Sequence, residues 1–168
     1  MDRRALRVLD RGGAPASRQG GRERGLTVIE LLIVIALLGI VSAIGVPTFL
    51  QQLERMRVLR AIADIKSIES EINSYENAMD ILPDDLDDLD AQSRQDPWGR
   101  PYVYFKFGGP GWRGRARKDR FLVPINSAFD LYSVGRDGES RPPLQNPKSL
   151  DDIVRANDGA FCGLGRDF

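Results

Sequence analysis

A single carboxylate, Glu30, stands at the head of a run from Leu31 to Leu53 that contains no charged residue. The run is long enough to cross the ~30 Å hydrocarbon core of a bilayer. A carboxylate at the edge of hydrocarbon is costly, and it usually marks a functional partner of opposite charge at the same depth. Elsewhere the reactive inventory is sparse. The 168 residues include no histidine, and one cysteine, Cys162. Ser-His and Cys-His catalytic pairs, histidine metal sites and an intrachain disulfide are therefore all excluded. The lone thiol is expected to be partly buried and inert. The acids between Asp80 and Asp90 look like a metal cluster at first sight, but beside Pro83 they fit a solvated cap and turn around Leu86 and Leu89. Arg113, Arg115, Arg117, Lys118 and Arg120 surround Trp112 and Phe121. A basic run with aromatics can bind nucleic acid. Five charges on one short loop fit better a solvated loop or a contact with the acidic face of another subunit, and nucleic acid is not an expected partner.

The elements that would position these residues follow from charge and periodicity. The first 25 residues hold seven arginines and three acids, net +4, so the remainder of this neutral chain is net −4. Positive charge ahead of an apolar span holds that end in the cytoplasm and exports the chain beyond the span. In that exported part, Val58, Ile62, Ile65, Ile68, Ile72, Tyr75 and Met79 recur at spacings of three and four, one stripe of a helix. One long helix from Leu26 to about Met79 is predicted, kinked or locally melted at Pro47, with Pro83 ending it. Tyr102 to Phe107, Phe121 to Ile125 and Phe129 to Val134 read as strands. Gly108 to Lys118 and Gly135 to Lys148 read as loops, and Ser149 to Ala156 as holding one helical turn. An ordinary secretory signal cut near Val41-Ser42-Ala43 is the competing reading of the apolar run, but an acid so early makes a poor signal peptide.

The junction Glu23-Arg-Gly-Leu-Thr-Val-Ile-Glu30, followed by its apolar run, resembles the processing site of type IV prepilins and of the pseudopilins of type II secretion. The resemblance implies that a prepilin peptidase cuts between Gly25 and Leu26 and that the new amino terminus is methylated. Leu26 stands where the family usually has phenylalanine; Thr27, Glu30 and Pro47 follow the pattern. Pairing of Glu30 with the cationic amine of Leu26 on a neighbouring subunit would select one register of helices in a filament. Asp96-Pro-Trp-Gly-Arg-Pro-Tyr-Val-Tyr104 resembles the Asp-Pro-Trp-Gly-Asn-Pro-Tyr segment of the major pseudopilin, and Phe129-Asp-Leu-Tyr-Ser-Val-Gly-Arg-Asp-Gly138 the strand and loop after it. The resemblance runs from Gly25 to about Ile153.

It implies an α+β type IV pilin fold: a long N-terminal helix, transmembrane then amphipathic, packed on a small antiparallel β-sheet head. The division expected is a leader over 1–25, a membrane and filament-core segment over 26–53, and a periplasmic head over 54–168. The leader is longer than many in the family, which leaves open a start codon downstream. The major pseudopilins bind calcium in the loop after the strand at 129–134. Carried over by position, Asp137 and Asp151 would give side-chain oxygens to Ca2+, and Val134 and Ser149 their carbonyls. The intervening 139–148 loop departs from the family in length and proline content. The function implied is a structural subunit of a type II secretion pseudopilus, not an enzyme. It would sit in the bacterial inner membrane with its head in the periplasm. Its partners would be further copies of itself, the prepilin peptidase, other pseudopilins and the inner-membrane assembly platform. A type IV pilus pilin is the alternative, and a membrane-anchored periplasmic binding domain a more distant one.

Overall fold

The computed structural model describes residues 25–89, 94–119 and 123–168. Helix α1, Val28–Met79, is 52 residues long and continuous through Pro47, so the local melting expected there does not occur. Proline cannot donate the usual i to i−4 hydrogen bond. The Thr48 hydroxyl next to it adds a separate bond to the carbonyl of Ile44 at 2.8 Å. By length and composition α1 can cross a membrane. Its large apolar side chains up to Leu50 are uncovered, from 46% exposed at Val34 to 78% at Val28. An unbroken apolar surface of this extent needs lipid or other helices around it.

The chain divides into two compact units, one ending at Ala43 and one over Ile44–Phe168. In the second, α1 buries Ala61, Ile65, Ile68 and Ile72 against Leu86, Tyr102, Phe129, Leu131 and Ile153. The predicted stripe is therefore the core face as far as Ile72, with Val58 and Ile62 packed at its edge. It fails at Met79, which is 60% exposed. The helix stops at Met79 because Asp80 turns left-handed, with φ 60; Pro83, four residues later, is buried rather than the stop itself. The acidic segment forms a 3-10 turn over Asp87–Leu89, with Asp85 accepting from the Asp87 amide at 2.7 Å and Asp88 from the Asp84 amide at 3.0 Å. These acids are caps, as expected; Asp90 lies outside the described residues.

The sheet is antiparallel throughout. Its strands are β1, Val103–Lys106; β4, Phe129–Ser133; β5, Ile153–Ala156; and β6, Phe161–Leu164, in the order β1-β4-β5-β6. A two-stranded ribbon of β2, Lys118–Asp119, and β3, Val123–Pro124, stands apart, and the one-turn helix α2 covers Trp112–Arg115. The Gly108 to Lys118 loop thus contains a helical turn and the start of a strand. The predicted Phe121 to Ile125 strand survives as β3, Phe121 itself lying outside the described residues. Strand alternation gives the sheet two apolar faces. Phe129, Leu131 and Ile153 face the helix, while Val154 and Ala156 join Ile125 and Leu144 behind the sheet, with Tyr132 and Phe161 packed on them. The helical turn expected within Ser149 to Ala156 is instead a 3-10 turn at Pro147–Ser149 followed by β5.

Four acids on α1 are each met by a side chain of the head. Glu54 accepts from the Trp98 indole at 3.2 Å, Asp64 from the Tyr102 hydroxyl at 2.9 Å, Glu69 from Arg155 at 2.5 Å, and Glu71 from Arg94 at 2.8 Å. Cys162 packs against the same helix, and burial pushes its thiol up to about 11. It is neutral at physiological pH, the inert thiol expected from its sequence context.

Candidate functional site

The first candidate is the start of α1. Thr27 precedes the helix, and its hydroxyl accepts from the Glu30 amide at 3.3 Å while Glu30 reaches back to the Thr27 amide at 3.5 Å. This reciprocal pair is a capping box, which satisfies two of the helix's orphan donors. The reading of Glu30 as a membrane-edge partner missed this second role. A Thr-x-x-Glu directly before an apolar run was the signal for it. Glu30 therefore caps its own helix while its side chain remains exposed. Leu26, 76% exposed, stands one residue before the cap.

The second candidate is the turn after β4. Gly135, at φ +68, brings the backbone so close to Asp151 that a Cβ there would stand 2.3 Å from its carbonyl oxygen and 2.9 Å from Oδ2. Asp151 Oδ2 also accepts from the Asp137 amide at 2.9 Å, and Asp137 Oδ1 from the Glu139 amide at 2.7 Å. Of the four expected calcium donors, Asp137 is thus on this turn with Val134 just before it, and Asp151 reaches it from the segment before β5. The fourth, Ser149, is fully buried, its hydroxyl bonded to both the amide and the carbonyl of Arg141 at 2.8 Å. Its carbonyl lies against Gly165, where a Cβ would be 2.4 Å away. Among the described residues no three acidic or cysteine side chains cluster tightly enough to hold a metal by themselves. An ion here would depend on backbone carbonyls, as a hard cation accepts.

A cation already serves this turn. Arg100 donates to the Gly135 carbonyl at 2.7 Å and to the Arg136 carbonyl at 3.3 Å. Its guanidinium occupies the space where any Cβ at Gly138 would be 2.6 Å away. The family-like segment has asparagine at this position, so the extra positive charge is a property of this chain. Asp96 sets Arg100 in place. It is 4% exposed, and its Oδ1 accepts from the Trp98 amide at 3.0 Å and the Arg100 amide at 2.8 Å. Its Oδ2 takes the Ser133 hydroxyl at 2.6 Å. An Asp before Pro is an Asx-turn signal, and that signal would have identified Asp96 from sequence.

The basic loop resolves into different environments. Arg113 lies 5.5 Å from the Trp112 ring and Arg115 4.4 Å from Phe105. Arg117, expected in a solvated loop, is 2% exposed. It forms an ion pair with Asp152 and bonds the Ser140 hydroxyl, and it donates to the Arg141 carbonyl at 2.9 Å. Its guanidinium also lies 4.4 Å from the centre of the Tyr132 ring. Asp152 is fully buried, and burial pushes its carboxyl above the usual range against the opposing pull of Arg117 and Ser140. Burial likewise raises Asp130, although it accepts from the Arg117 amide at 2.6 Å and from Asn126 at 2.9 Å. The Gly135 to Lys148 loop is therefore held near its middle, at Ser140 and Arg141, by an arginine from an earlier loop. Arg120 lies outside the described residues.

Comparison with known proteins places these features together. Residues 20–46 match the prokaryotic N-terminal methylation motif. The chain is similar to the type II secretion system core protein G of Pseudomonas aeruginosa, 28% identical over 72% of this chain and 89% of that protein. It is similar to the protein of the same name from Aeromonas hydrophila, 27% identical over 73% of this chain and 89% of that one. The type IV major pilin protein PilA of Myxococcus xanthus is 35% identical, but over only 40% of this chain and 31% of that pilin. No solved structure matches. The pilin and pseudopilin resemblance read from the sequence is borne out, and its secretion branch covers far more of the chain than the pilus branch does.

Proposed function

We propose that this chain, a pilin-like protein similar over most of its length to the major pseudopilins of type II secretion, is the repeating subunit of a pseudopilus. The observation that carries this reading is continuity. The methylation motif at residues 20–46 leads into one long helix and an antiparallel head, and the similarity to a core G protein covers 72% of the chain. The apolar first part of α1 anchors the chain in a membrane. Placement in the inner membrane with a periplasmic head follows from the net +4 of the leader. A prepilin peptidase would cut at Gly25 and methylate Leu26, and the freed chains would assemble with one another and with other pseudopilins. Head-to-tail contacts of this kind generate open filaments. The subunit's work is packing, and no catalytic role is assigned to any residue.

Glu30 is the test of assembly. Glu30→Ala should still insert, since a carboxylate is removed from the membrane edge, but filaments should be lost or sharply reduced. Glu30→Gln separates the two roles of the residue. It keeps a hydrogen-bonding group for the Thr27 amide but has no charge for a neighbour's amine. If electron microscopy of overexpressing cells shows filaments with Gln and not with Ala, the residue acts as a cap and the pairing idea is lost. Failure of both supports it.

A calcium ion is proposed for the turn after β4, held by Asp137 and Asp151 with the carbonyls of Val134 and Ser149. Bound there, it would supply positive charge that ties the strand end to the segment leading into β5. What supports the site is that Asp151 Oδ2 reaches the Asp137 amide at 2.9 Å, so the two residues meet at one turn. The full chain in detergent should then melt higher in calcium than in chelator. Binding to the folded state alone contributes about 2.7 kcal/mol at a hundredfold excess over the dissociation constant. Magnesium should substitute poorly. Asp137→Ala and Asp151→Ala should abolish the shift, whereas Arg100→Gln should enlarge it, because the turn then lacks its built-in cation. An unchanged melting temperature for the native chain in calcium removes the metal and leaves Arg100 to serve the turn in its place.

A further inference from the structure

Where α1 leaves its uncharged run, the head folds back to form an open groove of about 670 Å³. Its apolar lining is Leu50, Val58 and Leu59 from the helix and Leu164 from the end of β6. Leu50 and Leu59 are 59% and 65% exposed. Its cationic lining is Arg55 and Arg57 from the helix, Arg136 from the turn after β4 and Arg166 from the C-terminal turn. Among the described residues its one acid is Glu54, and both of its oxygens are engaged, one by the Trp98 indole at 3.2 Å and the other by Arg57 at 3.3 Å. Among the described residues no carboxylate lies within ion-pair distance of Arg55 or Arg136, and Arg166 has only its neighbour Asp167 at 3.9 Å. The smaller pocket alongside is lined by Trp98 and Asp151, the latter already accepting from the Asp137 amide.

We infer that this groove binds one anionic membrane phospholipid, its phosphate among Arg55, Arg136 and Arg166 and an acyl chain along Leu50 and Leu59. Three features select that occupant. The groove starts within the last residues of the uncharged run, and Glu54 and Arg55 are the first charges beyond it, so its mouth stands where hydrocarbon gives way to headgroups. A lining that combines apolar side chains with arginines suits an acyl chain ending in an anionic headgroup. Trp98 beside it has the amphipathic ring that settles at such an interface. Arginines on this side add nothing to the leader's orienting charge, since long translocated domains are exported regardless. Their charge is available to hold anionic headgroups. The groove needs the membrane anchor but not the filament.

The test is native mass spectrometry of the full chain in mild detergent, titrated with phosphatidylglycerol or with phosphatidylcholine of the same acyl composition. One phosphatidylglycerol per chain should bind in clear preference to phosphatidylcholine. Arg136→Ala/Arg166→Ala should weaken the phosphatidylglycerol adduct by about thirtyfold, the product of two arginine contacts with an anionic lipid. Arg136→Lys/Arg166→Lys should keep most of it. Both side chains are exposed, and Arg136 is used by the fold through its carbonyl, so folding is preserved; an unchanged melting temperature checks this. Arg113→Ala/Arg115→Ala removes the same charge from elsewhere on the head and should leave the adduct intact. Equal binding of both lipids, or equal loss in both double alanine variants, overturns the site. So does a wild-type chain that retains no lipid but whose self-association is lost in Arg136→Ala/Arg166→Ala, because the groove then belongs to another copy of the chain. None of these readouts requires filaments, so failure here is distinguishable from failure of the pseudopilus reading.

Discussion

Arg117→Met should destabilise the head by about 3–5 kcal/mol, the cost of leaving one member of a buried ion pair without its partner. The side chain is almost inaccessible, and its guanidinium meets Asp152, Ser140 and the carbonyl of Arg141 at once. Methionine fills a similar volume but answers none of them. The charge of Asp152 is then buried with the Ser140 hydroxyl left to accept from, at 2.7 Å. Adding Asp152→Leu should recover much of the loss, because replacing both partners of a buried pair by apolar groups is often neutral or better. Acidity gives an independent reading. Burial already holds the Asp152 carboxyl above its usual range, and loss of Arg117 moves it further up. The folded variant then binds a proton that the unfolded chain, with a carboxyl near pKa ~3.9, does not. Stability gained from that proton is complete below the unfolded value and disappears as pH rises through the folded one. The single variant should therefore look least damaged in acid and most damaged at neutral pH. Urea unfolding of the full chain in detergent, followed by tryptophan fluorescence, measures both. A loss under about 1 kcal/mol that does not vary with pH would mean the pair is not holding the loop.

The largest functional effect is expected at the other end of the chain. Gly25→Val should leave the leader attached and abolish assembly, while the head folds normally. The structure separates these outcomes, because a Cβ at Gly25 meets nothing within 4 Å. Any defect is thus in processing and not in packing. Intact mass spectrometry of membrane-extracted wild type should give a chain starting at N-methyl-Leu26; one starting near Ile44 would make it a secreted protein with a cleaved signal. The amine so created stands beside the positive end of the α1 macrodipole. Glu30, in the first turn of that helix, is the nearest counter-charge, which makes its position useful both to its own chain and to a neighbour.

What the sequence revealed depended on how local each signal is. The junction at Gly25 and Leu26, the uncharged run and the stripe from Val58 to Ile72 are contiguous patterns, and all were legible. β1 and β4 were found because aromatic and apolar residues alternate in them. β5 was missed because all four of its residues are buried, so it shows no alternation, and β6 because it is four residues long and includes Gly163. Arg117 was misread for a different reason. Among five basic residues in one short stretch, nothing local distinguishes the one whose partner, Asp152, lies 35 positions away. Asp137 and Asp151 were brought together by family likeness rather than by pattern, and the Arg100 that shares their turn was read only as part of a motif.

The acids at Glu54, Asp64, Glu69 and Glu71 are spread along several turns of α1, three of them tied to the segment 94–102 and Glu69 to Arg155 in β5. Arranged this way, the ties share any pull along the helix axis rather than peeling apart one after another. For the helix to slip by a single turn, about 5.4 Å, all four would have to break together while Ile65, Ile68 and Ile72 left their sockets. Within the unit from Ile44 to Phe168, force applied along this part of α1 is therefore delivered to the head as the motion of one solid piece. A head pulled or pushed through this part of the helix would follow its stroke without stretching.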